Sequence, residues 1–277
     1  MPNIFDTFSV AVLKLYGPGF IFDYATLDDN DAFVVCALLR YIRACRGTVD
    51  STAFVIDFAK FMPTDTLGRQ LCLHLNKLGV ITPVEVPASC NDIEICKLSD
   101  WAMGELCWRM ASDEMRLSPS ELLISLEDRL LNLEAASIKA LWMTIGQAEC
   151  ERYLAELSIR YGFAVNSVLS DKTKEALTYC LVRLSVPKTW NILWCVMRDV
   201  AALMQTGTYT KLHLCHMVSF RIVSEVNRRI TNFKMIKPWS RQAKNLESTA
   251  TTLFIDDVLS RKSMEFETIC AQDFYAL

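Results

Sequence analysis

The residues best suited to recognition chemistry are cationic and cluster in the last quarter of the sequence. From Arg221 to Lys244 stand seven basic side chains, Arg221, Arg228, Arg229, Lys234, Lys237, Arg241 and Lys244, against one acid, Glu225. Phe233 and Trp239 lie among them. On a helix Arg221, Glu225 and Arg228 share a face, with Arg229 beside it. A loop around Pro238 would let Lys234, Lys237 and Arg241 follow a phosphate backbone, with Trp239 to stack on a base. The bland counterpart is a solvated surface that balances acidic helices such as the one carrying Glu149, Glu151 and Glu156.

Other chemistries find less support. His213 and His216, three apart on a helix with Cys215 between, could present two ligands to zinc. A tetrahedral site needs four, normally completed by a second close pair, and no CxxC or HxxxH occurs elsewhere. Packed or half-exposed histidines are expected, with no metal and no cofactor. Gly17-x-Gly19 is isolated and no Gly-x-Ser-x-Gly elbow exists, which argues against nucleotide cradles and serine hydrolases. No Asp or Glu is followed two positions later by Lys, so the metal-holding core of restriction-like nucleases is missing. Arg69 and His74 stand in an Arg-x4-His arrangement that resembles the Arg-x4-6-His signature of helical HEPN ribonucleases. The resemblance covers those two residues. It implies phosphate contact by Arg69 and acid–base work by His74 at a helical dimer interface, with Gln70 as the polar residue after the Arg. So short a pattern recurs by chance, and ordinary helix surface is the competing expectation.

The elements that must position these residues read as mainly α. The chain has 277 residues, 52% hydrophobic, which suffices for a sizeable core, and only nine glycines and eight prolines, which favours long helices over many turns. Eleven cysteines, mostly inside apolar helical runs, behave as small hydrophobes. Their odd number, the absence of N-x-Ser/Thr sequons and a start without a basic region point to a reducing cytoplasm. Charge breaks every long apolar window, so no membrane span is expected. Residues 1–100 carry eight basic and twelve acidic side chains, residues 101–169 six and ten, and residues 170–277 fifteen and ten. Only the last segment is basic.

An N-terminal winged-helix-like domain, three helices plus a β-hairpin over residues 1–98, is expected ahead of an all-helical bundle over 99–277. Asp31 to Cys45, stopped by Gly47, supplies the first helix. Asp50 or Ser51 caps a second through Phe54, Val55, Phe58 and Phe61, ended by Met62-Pro63. Thr64 caps a third, with Leu67, Leu71, Leu75 and Leu78 as its apolar stripe and Gly79 behind it. Val80–Val86 and Ile93–Ile95 form the ribbon, with Pro83 at an edge. In such a domain the third helix lies in the DNA major groove, and Asp65, Thr66, Gly68, Arg69 and Gln70 would lead it. Arg69 and Gln70 could read bases, but Asp65 repels phosphate and the region is acidic, which favours protein docking over duplex reading.

Beyond residue 98 the pattern is helical. One helix is expected through Trp101, Leu106, Trp108 and Met110, and another from Ser118-Pro119 with Leu122, Leu123, Leu126, Leu130 and Leu133 inward. A further run passes Trp142, with Gly146 permitting a break, and stops at Gly162. Helices follow from Ser170, from Pro187, from Tyr209-Thr210 to about Asn232, and from Asn245 to Leu259. The expectation is a non-enzymatic, nucleic-acid-associated adaptor subunit. Its winged helix would dock a partner protein or DNA, and its basic segment would hold DNA or RNA backbone. The alternatives are a pure scaffold in a multi-protein complex and a HEPN-like ribonuclease using Arg69 and His74.

Overall fold

The computed structural model describes residues 21–49, 53–85, 106–232, 235–239, 247–262 and 264–275. The protein is mainly helical and divides into two compact units, one up to Leu133 joined by Glu247–Leu253, the other Glu134–Leu246 with Phe254–Leu277. The boundary expected at residue 98 falls outside the described residues.

In the first unit, α1 (Asp29–Arg46) is capped by the Asp28 carboxylate, which accepts from Asp31 N, and is stopped by Gly47 at φ +76°. Both signals are local, as the sequence suggests. The second helix differs from expectation. Phe54–Val55 is extended (β2), and only Phe58–Phe61 is helical (α2), capped by Asp57. Phe54 is buried and Val55 exposed, a period of two that a helical spacing had masked. Thr64 caps α3 (Asp65–Leu78) as expected, and Gly79 closes it at φ +88°. The inward face of α3 is not the leucine stripe: Gly68, Cys72, Leu75 and Asn76 are buried, whereas Leu67 and Leu71 are part-exposed and Leu78 is 39% exposed.

The strand β3 (Ile81–Glu85) follows. Its expected partner, Ile93–Ile95, lies outside the described residues; the partner observed is β4 (Cys107–Met110), in a stretch expected to be helical. Trp108, fully buried, sits opposite both Phe54 and Pro83 in a three-stranded sheet of order β2-β4-β3. Pro83 is therefore on an edge strand, where its missing N–H costs no ladder bond. The described residues before 133 also form a parallel pair, β1 (Ile21–Phe22) with β5 (Ser112–Asp113), a 3-10 turn (Tyr24–Thr26) and α4 (Pro119–Leu131). The first turn of α4 carries a reciprocal capping box between Ser118 and Glu121.

The second unit is a helical bundle of α5 (Ala135–Arg160), the short α6 (Val165–Val168), α7 (Asp171–Arg183), α8 (Val186–Gln205) and α9 (Lys211–Thr231). The break permitted at Gly146 does not occur; α5 runs through it. A Cβ there would stand 3.1 Å from Val186 Cγ2, so the glycine serves close helix approach instead. The expected helix to Leu259 is α-helical only over Thr249–Leu253 (α10), and Phe254–Leu259 widens into a π-helix. At the core Trp142 meets Phe254, Phe266 and Phe274, and Phe266 also meets Trp190. Among the described residues no helix is long and apolar enough to cross a membrane.

Candidate functional site

On α3 the leading residues do not present themselves as a base-reading set. The Arg69 Nε donates to Asp65 Oδ2 at 2.6 Å, and its guanidinium lies 5.2 Å from the centre of the Phe58 ring. Gln70 is exposed, while Gly68 is buried against the α2 backbone. Arg69 and His74 turn to different neighbours: His74 Nε2 is 2.9 Å from Asp31 Oδ1 on α1. Five residues apart, they sit about 140° apart around the helix and share no partner. A cavity of about 390 Å³ opens beside Tyr41, Val55, Asp57, Phe58, Asp65 and Arg69. Its polar groups serve the fold: Asp57 N donates to the Tyr41 hydroxyl at 2.8 Å, and the Asp57 carboxylate caps α2.

The cationic residues of the second unit are brought together differently from the sequence reading. On α9 both Arg228 and Arg229 reach Glu225, at 2.7 Å each. The cause is helical spacing, which puts residues three and four apart on one face. Arg229 is a structural residue: it is 16% exposed, and it also donates to Asn191 Oδ1 at 3.0 Å and to Cys195 Sγ at 3.1 Å on α8. Arg228 is 54% exposed and faces solvent. Arg221 is part-buried, and its buried Nε has no hydrogen-bond partner among the described residues. Lys237 is exposed. Lys234, Arg241 and Lys244 lie outside the described residues.

Trp239 is not a free ring. Its backbone N–H donates to Pro187 O at 3.0 Å at the start of α8, and its indole stacks on Trp194 with centroids 5.1 Å apart and planes at 20°. The Arg198 guanidinium lies 4.9 Å from the Trp194 ring centre and is itself held by Asp199 at 2.7 Å. The described contacts thus join Trp239 to Trp194, Arg198 and Asp199 of α8, and tie Arg228, Arg229 and Glu225 of α9 to Asn191 and Cys195 of α8. Trp194 and Arg198 are not among the residues that the sequence singled out, where only a helix from Pro187 was expected. The signal was there: Asn191, Trp194, Cys195 and Arg198 repeat at helical spacing on one face.

His213 and His216 are exposed, and His213 stacks on Tyr209. Among the described residues no group of three potential metal ligands converges. Burial pushes the Cys180 thiol up to about 12 and raises that of Cys72 further, which suits small hydrophobes rather than nucleophiles.

Burial works against the charge on Glu225, but the two guanidinium groups outweigh it and hold its carboxyl below the ordinary carboxylate range. A depressed folded value contributes stability that is present above the unfolded value of about 4.3 and is lost as pH falls through the folded one. Glu225→Gln should therefore cost about 1 kcal/mol at neutral pH, because Arg228 is solvent-screened while Arg229 is not. Urea titrations at neutral pH and below about pH 4 check this: the variant should also lose less stability than the parent on acidification.

No family model matches the chain, and neither does any curated protein or any solved structure with which it was compared.

Proposed function

We propose that the chain is a non-enzymatic, nucleic-acid-associated binding subunit with a winged-helix-like first unit for docking. The order α1-β2-α2-α3-β3-β4, with β4 between β2 and β3, supports the winged-helix part. On α3, Arg69 is already paired with Asp65, and Leu67, Leu71 and Leu78 are partly exposed, which favours a protein over duplex DNA as what that helix meets.

The observation that carries the nucleic-acid part is a tryptophan pair stacked at α8, with Arg198 over one ring and Arg229 of α9 reaching the same helix beside the exposed Arg228. Arg228 and Lys237 are the exposed cations best suited to phosphate, and Arg229 belongs to the fold. Arg228→Glu combined with Lys237→Glu should weaken binding to oligonucleotides at low salt and lower the salt slope of log K by about two. Binding titrations between about 50 and 200 mM salt measure it, and an unchanged affinity removes the nucleic-acid part.

The second reading, a scaffold within a multi-protein assembly, is favoured by the pairing of Arg228 and Arg229 with Glu225, which leaves that trio one net positive charge. It predicts a stable protein partner and no salt-dependent retention of DNA or RNA.

A further inference from the structure

Building on that nucleic-acid reading, we infer that the α8/α9 surface takes single strands in preference to duplex, with an unpaired base stacking on Trp239 as the next layer of a preformed ladder. Trp239 lies 5.1 Å from Trp194 and nearly parallel to it, and the Arg198 guanidinium stands 4.9 Å from the Trp194 ring. Each layer is fixed from outside the stack. Asp199 holds Arg198, α8 carries Trp194, and the Pro187 carbonyl holds the Trp239 backbone at 3.0 Å. Among the described residues Trp194 is the only ring against Trp239, and Trp239 keeps part of its surface in solvent. A ring already held in place loses little side-chain freedom when a ligand stacks on it.

A duplex cannot use this feature, because the faces of its bases are covered by their neighbours. An unpaired base offers a π-face whatever its identity, so the contact is tolerant of sequence. Lys237, two residues before Trp239, and the exposed Arg228 supply phosphate contacts beside the stack. Asp199 and Glu225 pair with Arg198 and Arg228 and keep the local charge modest. Stacking then has a large share of the affinity, unlike in a purely electrostatic duplex binder.

The test uses the full chain with a fluorescently labelled oligothymidylate and a labelled duplex of equal length, titrated at low salt. The expected result is binding of the single strand about tenfold tighter than the duplex. Trp239→Ala should cost about tenfold on the single strand and little on the duplex, and Trp239→Phe should retain most of the affinity. Equal affinity for the two ligands overturns the inference, as does a Trp239→Ala protein with unchanged circular dichroism and undiminished single-strand binding. Should the alanine variant unfold, the parent decides: a stacked base quenches indole emission, and saturation with oligothymidylate without quenching also overturns it. Failure to bind either oligonucleotide defeats the broader nucleic-acid reading, an outcome distinct from binding both equally.

Discussion

Replacing Trp142 by alanine is expected to cost the helical unit about 3–5 kcal/mol, enough to consume much of the stability of an ordinary domain. The side chain is fully buried on α5 and is enclosed by Phe254, Phe266 and Phe274, with ring centroids at 6.5, 5.5 and 6.1 Å. Three aromatic neighbours contributed by the segment after residue 253 cannot collapse onto an alanine without leaving that segment. The deletion therefore leaves a cavity and loosens the chain that lines it. Trp142→Phe is the informative companion. It keeps a ring in the cluster and removes an indole N–H that is buried without a hydrogen-bond partner, so its cost should stay below about 1.5 kcal/mol. Urea unfolding followed by far-ultraviolet circular dichroism measures both. A Trp142→Ala midpoint close to the parent's would mean that these rings do not pack as described.

Gly68→Ala should destabilise the first unit by about 1–3 kcal/mol, although the same change in an exposed helix stabilises by roughly 1 kcal/mol. The sign turns on space. A Cβ at position 68 would stand 2.8 Å from Phe58 Cβ, 3.1 Å from Phe58 O and 3.2 Å from Phe58 Cα. These atoms belong to the start of α2 and cannot rotate away, so α2 and α3 must separate. Separation would also disturb Arg69 over the Phe58 ring. Gly146→Ala provides the contrast: its nearest neighbour at 3.1 Å is a valine methyl, which can shift by a few tenths of an ångström. Thermal melts of the two variants should rank them with Gly68→Ala clearly lower. A Gly68→Ala protein as stable as the parent would show that α2 does not press on α3.

These variants also mark how far local pattern reaches. Gly68 looked like one of the leading residues of a recognition helix, because its helix, its cap at Thr64 and its stop at Gly79 are all written within a few positions. What it touches is ten residues back, across the turn at Pro63, and no periodicity reports that. Cys107–Met110 shows the same limit. Its strand character comes from pairing with Ile81–Glu85 and Phe54–Val55, whereas Trp108 and Met110, two residues apart, carry only a short period-two signal within a run that otherwise reads as helical.

What the sequence by itself determined is whatever depends on atoms a few residues apart. That includes the helix starts at Thr64, Ser118 and Thr210, the glycine stops at Gly47 and Gly79, and the reach of Arg228 and Arg229 to Glu225. Only the tertiary structure decided which side chains meet across longer separations. It set Trp239 on Trp194, Arg229 on Cys195, and turned Gly68 and Cys72 of α3 inward with Leu75 while Leu67, Leu71 and Leu78 stay partly exposed. The physical reason is that capping and i,i+4 pairing are set by backbone geometry alone. Stacking, burial and strand pairing depend on a partner whose position is fixed only when the whole unit has packed.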